Sequence, residues 1–128
     1  MLDRLWHYRA KLDRTIDGDT VQVELDAGMH TYRIERLRLL DCWAPEVRGP
    51  ERYAGLAAKR WVDEWFAVIP VQSWPLIIRT EKSDAFGRYL AMVYRVDTLA
   101  CLNTEMVAAG HATVSKPLPV SVIAQASK

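Results

Sequence analysis

Apolar and polar residues alternate near the start of the chain. Every second residue from Trp6 to Leu12 is apolar, and the same period of two recurs from Val21 to Leu25. Because successive side chains of a β-strand point to opposite faces, this pattern predicts two half-buried strands. A third strand is predicted from about His30 to Leu40. The turn sequences at residues 17–20 and 26–29 predict short connections, and therefore an antiparallel meander.

A pattern with helical spacing follows the meander. Apolar residues recur at intervals of three and four after Pro50, a residue that suits the first turn of a helix. The predicted stripe consists of Ala54, Ala57, Ala58, Trp61, Val62, Trp65 and Phe66.

Two more strands and a short helix are predicted in the second half of the chain. The strands are expected at Leu76–Arg79 and Arg88–Val96, and the helix at Leu102–Ala109. Asn103 is predicted as the N-cap of that helix, and Gly110 as the left-handed residue that follows its end.

The order of these elements predicts the fold. Three strands, a helix, two strands and a helix are typical of an α+β protein, and we expect a five-stranded OB-fold barrel with two packed helices. We expect one domain over residues 1–116 and a loose C-terminal tail over residues 117–128, where prolines and small residues replace the periodic pattern.

Composition changes this picture little. The 128 residues carry a formal net charge of +1, so an anion site would depend on where the basic residues lie. Cys42 and Cys101 are predicted to be reduced thiols, with a disulfide as the alternative. No apolar run is long enough for a membrane span, and the N-terminus lacks the apolar region of a signal peptide. We expect a cytoplasmic monomer without membrane contact; secretion of a longer precursor is the alternative.

The stretch from Arg36 to Glu46 concentrates the candidate chemistry, because two arginines and two carboxylates fall within eleven residues. Arginine binds phosphate oxygens through paired hydrogen bonds, and a carboxylate positions or activates water. This stretch is therefore expected to hold a charged ligand. A surface salt bridge to Glu35, Asp41 or Asp84 is the alternative role for Arg38, and for Arg88 further along the chain.

Five motifs, in order, resemble the staphylococcal nuclease (thermonuclease) family. They are Asp17-Gly-Asp-Thr before a strand, Arg38-Leu-x-x-x-x-Ala-Pro-Glu, a Gly-Pro-Glu helix containing Ala-Ala-Lys-Arg, Asp84-Ala-Phe-Gly-Arg-Tyr-Leu-Ala-Met-Val-Tyr, and Leu102-Asn-x-Glu-x-Val-x-x-Gly. The resemblance covers about residues 8 to 114.

The resemblance implies an OB-fold barrel that cleaves phosphodiester bonds of DNA and RNA with calcium. It implies that Asp19 is a calcium ligand and that Arg38 and Arg88 bind the scissile phosphate. Glu46 matches the glutamate that acts as general base or positions the attacking water. The backbone carbonyl of Ala44 falls where a further calcium ligand is found.

Trp43 departs from the family pattern. It occupies the position of a second calcium-ligating aspartate, and an indole offers no oxygen to a hard cation. Asp41 is a candidate replacement ligand, although two residues of regular strand place it about 6.6 Å away. Trp43 itself is predicted either to fill a vacated metal site or to stack on a nucleic-acid base. Arg36 is predicted to assist nucleic-acid binding from the same strand face as Arg38.

The leading hypothesis is a calcium-dependent endonuclease acting on DNA, RNA or both, with Arg38, Glu46 and Arg88 as its catalytic residues. Two alternatives stay open. One is a catalytically weakened or inactive nucleic-acid-binding module of the same fold. The other is a protein-interaction scaffold, which gains if the basic residues are dispersed rather than focused on one cleft.

Overall fold

Five strands close into a barrel in the computed structural model, which describes residues 6–83 and 87–115. β1 (His7–Asp17), β2 (Thr20–Asp26) and β3 (Tyr32–Leu39) form the antiparallel meander. β5 (Tyr89–Arg95) runs parallel to β3, and β4 (Leu76–Ser83) joins β5 to β1 through antiparallel pairing. The predicted α+β, OB-like barrel of five strands is therefore confirmed.

Two helices pack on the barrel, as predicted. A single 3₁₀ turn at Gly49–Glu51, with Pro50 near its start, leads into α1 (Arg52–Ala67), which packs against β1. α2 (Leu102–Ala108) packs against β5, and Gly110 beyond it has a left-handed φ of 83°. Within residues 6–83 and 87–115, no helix combines the length and the apolar character that a membrane crossing requires.

The barrel interior is the apolar core. Each strand contributes the side chains that alternate inward, and α1 and α2 close the core from outside. The strand residues that are buried there are Ala10, Val21, Val23, Leu25, Leu37, Leu39, Leu76, Ile78, Ala91 and Val93.

The buried stripe of α1 differs from the predicted one. Ala54 and Ala57 are exposed, whereas Gly55 is buried. The reason is a close contact between Gly55 and the backbone of Glu46, which turns a different part of the first turn of the helix inward. The buried residues of α1 are Gly55, Ala58, Val62 and Trp65.

Asn103 does not cap α2, so that prediction was wrong. The N-cap is Cys101, and Asn103 is buried as the second residue of the helix. Its Oδ1 accepts a hydrogen bond from the backbone N–H of Val93 at 3.1 Å. Its Nδ2 donates to the carbonyl oxygens of Leu40 and Ala91 at 2.9 and 3.0 Å. Asn103 therefore fastens α2 to β5 and to the end of β3.

The remaining predictions concern cysteines, boundaries and the tail. Cys42 is buried, Cys101 is half-buried, and both are free thiols. β3 starts later than predicted because Met29 and His30 have left-handed φ angles of 53° and 56° and belong to the preceding turn. The predicted tail at residues 117–128 and the proposed salt-bridge partner Asp84 lie outside the described residues.

Candidate functional site

Arg38 leaves the outer face of the barrel near the end of β3 and is covered there. Only 5% of the residue is exposed. Its Nη1 donates hydrogen bonds to the carbonyl oxygens of Leu39 and Cys42, at 2.8 and 2.6 Å. Its Cζ lies 4.1 Å from the centroid of the Trp43 ring, so the indole stacks on the guanidinium. The chain after β3 thus folds back over Arg38 and hides it from solvent.

Asp19 lies beside Arg38 because of the strand register. Thr20, the first residue of β2, pairs with Arg38 in β3, and Asp19 precedes it. Oδ2 of Asp19 accepts a hydrogen bond from the N–H of Ala44 at 2.8 Å and lies 3.5 Å from Nη2 of Arg38. Oδ1 accepts from the hydroxyl of Thr20 at 3.2 Å. Both carboxylate oxygens are therefore engaged by groups of the protein.

Burial raises the pKa of Asp19 above the usual value for an aspartate. The N–H of Ala44 and the charge of Arg38 act in the opposite direction and offset only part of this effect. The carboxyl group thus keeps its proton to a higher pH than an exposed aspartate would.

Residues 40–47, which we call the closing loop, are held from three sides. Trp43 exchanges backbone hydrogen bonds with Thr113, N–H to carbonyl in both directions, at 2.7 and 2.9 Å. The N–H of Val47 lies 3.5 Å from Oδ1 of Asp17. A Cβ atom added to Gly55 would lie 1.9 Å from the carbonyl oxygen of Glu46, so α1 and the loop touch through backbone. The loop is a packed part of the fold.

Three further candidates lie at the edge of this cluster. The side chains of Asp41 and Glu46 are exposed, and Asp41 has a left-handed φ of 49°. Arg36 is exposed on the outer face of β3. Leu37 pairs with Tyr89, so Arg36 and Arg88, each one residue earlier, reach the same seam between β3 and β5. The structure therefore gathers three arginines, Arg36, Arg38 and Arg88, at this seam.

The donor atoms do not fit a calcium site as they are arranged. Calcium takes about six to eight oxygen ligands at about 2.3–2.6 Å. The carboxylate oxygens of Asp19 already contact Ala44, Thr20 and Arg38. Ala44 presents its backbone N–H, a donor, to Asp19, whereas a calcium site would need its carbonyl oxygen. The position expected for a second carboxylate holds the indole of Trp43. Across residues 6–83 and 87–115, no three His, Cys, Asp or Glu side chains converge in a way that could hold a metal ion.

Away from the seam, many of the described basic residues pair with a nearby acid. Arg9 meets Asp26 at 2.5 Å, and Lys11 meets Glu24 at 3.6 Å. Hydrogen bonds from Gly28 and Arg9 lower the pKa of Asp26, as expected for a carboxylate in such a pair. Further pairs are Arg33 with Glu35, Arg79 with Glu81 and Arg95 with Asp97. These pairs are spread around the barrel and do not form a single basic face.

Sequence reasoning missed the residues that hold the closing loop. Gly55 and Thr113 carry no chemistry of their own, and their role depends on which backbone atoms approach them. It also missed the outer aromatic pair of Tyr32 and Trp74, whose rings stack at 5.8 Å with Lys11 close to Trp74. The alternation of β1 and β3 places Lys11 and Tyr32 outward, but no sequence signal brings Trp74 to them.

Comparison with known proteins does not assign a function to this site. No family model matches the chain. The chain is similar to a protein of Methanocaldococcus jannaschii that is named only "Uncharacterized protein MJ1439", with 28% identity over 128 residues. The aligned part covers 84% of this chain and 59% of that protein, so the chain spans well under two thirds of its relative. The resemblance to the staphylococcal nuclease family therefore stays a prediction drawn from the motifs.

Proposed function

We propose that this chain binds the phosphodiester backbone of nucleic acid at the seam between β3 and β5, as a divergent member of the nuclease family that its motifs resemble. One observation carries the proposal. Nη2 of Arg38 is buried and makes no hydrogen bond within the described part of the chain, because Oδ2 of Asp19, its ion-pair partner, stays 3.5 Å away. A buried donor without an acceptor costs about 1–3 kcal/mol, more when it is charged. An anionic oxygen is the ligand that such a donor favours.

The surroundings of Arg38 suit this role. Two backbone carbonyls fix Nη1, so the guanidinium keeps one orientation and loses little entropy when a ligand arrives. Arg36 and Arg88 add positive charge at the same seam. The stacked Trp43 covers Arg38, so the phosphate reaches Nη2 only when the indole moves aside.

Binding is better supported than calcium-dependent cleavage. Phosphodiester hydrolysis in the resembling family relies on a metal that carboxylates hold, and here the oxygens of Asp19 already accept hydrogen bonds. No step through calcium follows from this arrangement. The proposal is therefore a phosphodiester-binding module built on a five-stranded, OB-like barrel.

The test is the affinity for labelled single-stranded DNA and RNA, measured by fluorescence anisotropy in the presence of chelator. Arg38→Lys keeps the charge but loses the planar fork, and we expect at least tenfold weaker binding. Arg36→Ala removes an exposed cation from the same seam, leaves the buried network intact, and is expected to weaken binding severalfold. Arg9→Lys, at a paired arginine away from the seam, is the matched control. Equal losses in all three variants, or no binding by the wild type, would overturn the proposal.

Metal-dependent cleavage is the second candidate, and the position of Glu46 favours it. The contact between Ala44 and Asp19 brings Glu46, two residues further on, to the edge of the cluster with its side chain in solvent. Restoring a carboxylate with Trp43→Asp is then expected to create or raise calcium-dependent cleavage of single-stranded DNA. Trp43→Asn, which is similar in size but neutral, is its control. An unchanged rate in a folded Trp43→Asp variant counts against this candidate.

A further inference from the structure

The barrel has an open end that the Arg38 cluster does not use. A cavity of about 460 Å³ lies there, between the start of β1, the end of β2 and the start of β5. Its volume falls within the range of small-molecule sites. Leu25 and Leu37, both buried, form its floor, and we call it the mouth pocket. Its other lining residues are Trp6, Tyr8, Ala27, Arg33, Glu35, Thr80, Glu81 and Tyr89.

Three aromatic side chains form the walls of the mouth pocket. Tyr8 is half-buried, whereas Trp6 and Tyr89 are 64% and 40% exposed. Large aromatic rings of a small barrel normally fill the core, so rings that stand open around a cavity offer their faces to a ligand.

Trp6 is held in place at the rim by backbone hydrogen bonds. Its φ of 67° is an uncommon conformation for a bulky residue. Its carbonyl oxygen nevertheless accepts hydrogen bonds from the N–H of Thr80 at 2.9 Å and from the hydroxyl of Thr80 at 3.4 Å. The strained backbone is therefore tied to β4, and the indole stays beside the pocket.

The charged side chains of the rim are paired with one another. The lining contains one arginine and two glutamates, with Arg33 paired to Glu35 and Glu81 to Arg79. Because each glutamate is paired with an arginine, these charges offset one another, and the rim suits an uncharged ligand. The same groups offer hydrogen-bond donors and acceptors to the edge of a polar ring.

We infer that the mouth pocket binds a single nucleobase, stacked against the aromatic walls and hydrogen-bonded at the rim. A base is planar, uncharged at neutral pH, and carries donors and acceptors on its edge. The choice of a nucleobase among planar rings rests on the proposed nucleic-acid function. Leu37 and Tyr89 of the pocket precede and follow Arg38 and Arg88, respectively, so a strand held at the seam has a base within reach of the rim.

The direct test uses free adenosine and cytidine, which carry no phosphate. We expect saturable, millimolar binding in a ¹H–¹⁵N NMR titration, with shifts at Trp6, Ala27 and Tyr89. Ala27 is exposed on the rim, so Ala27→Trp is expected to fill the entrance and weaken binding at least tenfold. Ala54→Trp, at an exposed position on α1, is the matched control and is expected to bind as the wild type does.

A second variant protects the test against misfolding. Tyr89→Ala removes one wall and is expected to weaken nucleoside binding about five- to a hundredfold, the usual effect of losing one base–aromatic stack. The absence of nucleoside binding, shifts centred elsewhere, or equal effects of Ala27→Trp and Ala54→Trp would overturn the inference. Binding of indole in place of nucleosides would overturn it as well.

The two proposals fail in different ways. Arg38→Lys is expected to weaken oligonucleotide binding and to leave nucleoside binding unchanged. Binding of nucleosides without binding of oligonucleotides would refute phosphodiester binding at the seam and support base binding in the mouth pocket. Binding of oligonucleotides with full affinity, without binding of nucleosides, would refute base binding in the mouth pocket and support phosphodiester binding at the seam.

Discussion

At the scale of single residues, Trp43 controls how much of Arg38 a ligand can reach. The indole lies over the guanidinium at 4.1 Å, and two backbone carbonyls hold the other side. A desolvated cation–π contact contributes about 2 kcal/mol. Trp43 thus stabilises the arginine and covers it at the same time.

Trp43→Ala separates these two effects. We expect the free energy of unfolding to fall by about 1–3 kcal/mol, because the cation–π contact and the apolar contacts of the ring are lost. Affinity for single-stranded oligonucleotides is expected to rise, because Arg38 becomes accessible. Trp74→Ala, which removes another half-buried tryptophan near cations, is the control for the general loss of a ring. Weaker binding by Trp43→Ala in a folded protein would contradict the covering role.

Asp19 makes the stability of the folded protein depend on pH, and its burial fixes the sign of that dependence. Its pKa is raised in the folded protein, so the folded state binds more protons than the unfolded state above pH 3.8. The contribution of Asp19 to stability is therefore full at low pH and declines as pH rises through the folded pKa.

Asp19→Asn is expected to remove this decline. Urea unfolding of both proteins, measured from about pH 4 to pH 8, gives the difference in free energy at each pH. The wild type should lose stability relative to Asp19→Asn as pH rises. Asp17→Asn is the matched control. A difference that grows in the opposite direction would show that the pairing with Arg38 outweighs burial.

At the scale of elements, the fit between the closing loop and α1 explains a glycine inside a helix. Glycine at a helix interior costs about 1 kcal/mol relative to alanine. At Gly55 that cost is offset by the approach of the Glu46 carbonyl, which leaves no room for a Cβ. The helix therefore sets the position of residues 40–47, and through them that of Trp43.

Gly55→Ala makes this dependence measurable. Helix propensity alone predicts a gain of about 1 kcal/mol, whereas the contact at 1.9 Å predicts a loss of about 3 kcal/mol from overpacking. We expect the loss, in thermal or urea unfolding. Ala57→Gly, at an exposed position of the same helix, should show only the propensity effect. A stabilised Gly55→Ala protein would mean that the loop moves freely away from the helix.

The same scale shows what the sequence could and could not predict. Alternation and turn residues were enough for the barrel, because burial on one face of a strand leaves a period of two. They failed at Asn103, where a typical capping residue satisfies three backbone groups inside the core. They also placed Ala54 and Ala57 in the stripe, because the approach of Glu46 to Gly55 has no periodic signature. At the site, Asp19, Arg38 and Ala44, which the motifs single out, lie in contact, but the motifs did not predict that Arg38 would be covered.

At the scale of the whole molecule, a continuous apolar core and the packed closing loop hold the barrel together. An ion that binds only the folded state, at a free concentration a hundred times its Kd, would add about 2.7 kcal/mol to the free energy of unfolding. Because the oxygens of Asp19 are engaged and the indole of Trp43 beside them offers no oxygen ligand, we expect calcium to add nothing of this size.

The measurement compares the Tm of the wild type in millimolar calcium with its Tm in chelator, and we expect the two values to agree. Trp43→Asp is the informative comparison, because its restored carboxylate should make Tm depend on calcium. A calcium-induced rise in the wild type would show that the closing loop rearranges to admit the ion.

The buried thiol of Cys42 allows the opening rate of the closing loop to be measured. Cys42 is fully buried beside Met106, and burial, with a smaller effect of Asp19, raises the pKa of its thiol to about 12. An alkylating reagent attacks only an accessible thiolate, so it should modify the half-buried Cys101 first. In a Cys101→Ser protein, the alkylation rate of Cys42 would then count how often residues 40–47 lift away from the barrel. Comparing that frequency with the rate of oligonucleotide binding would show whether a ligand reaches Arg38 by loop opening or by movement of the Trp43 side chain alone.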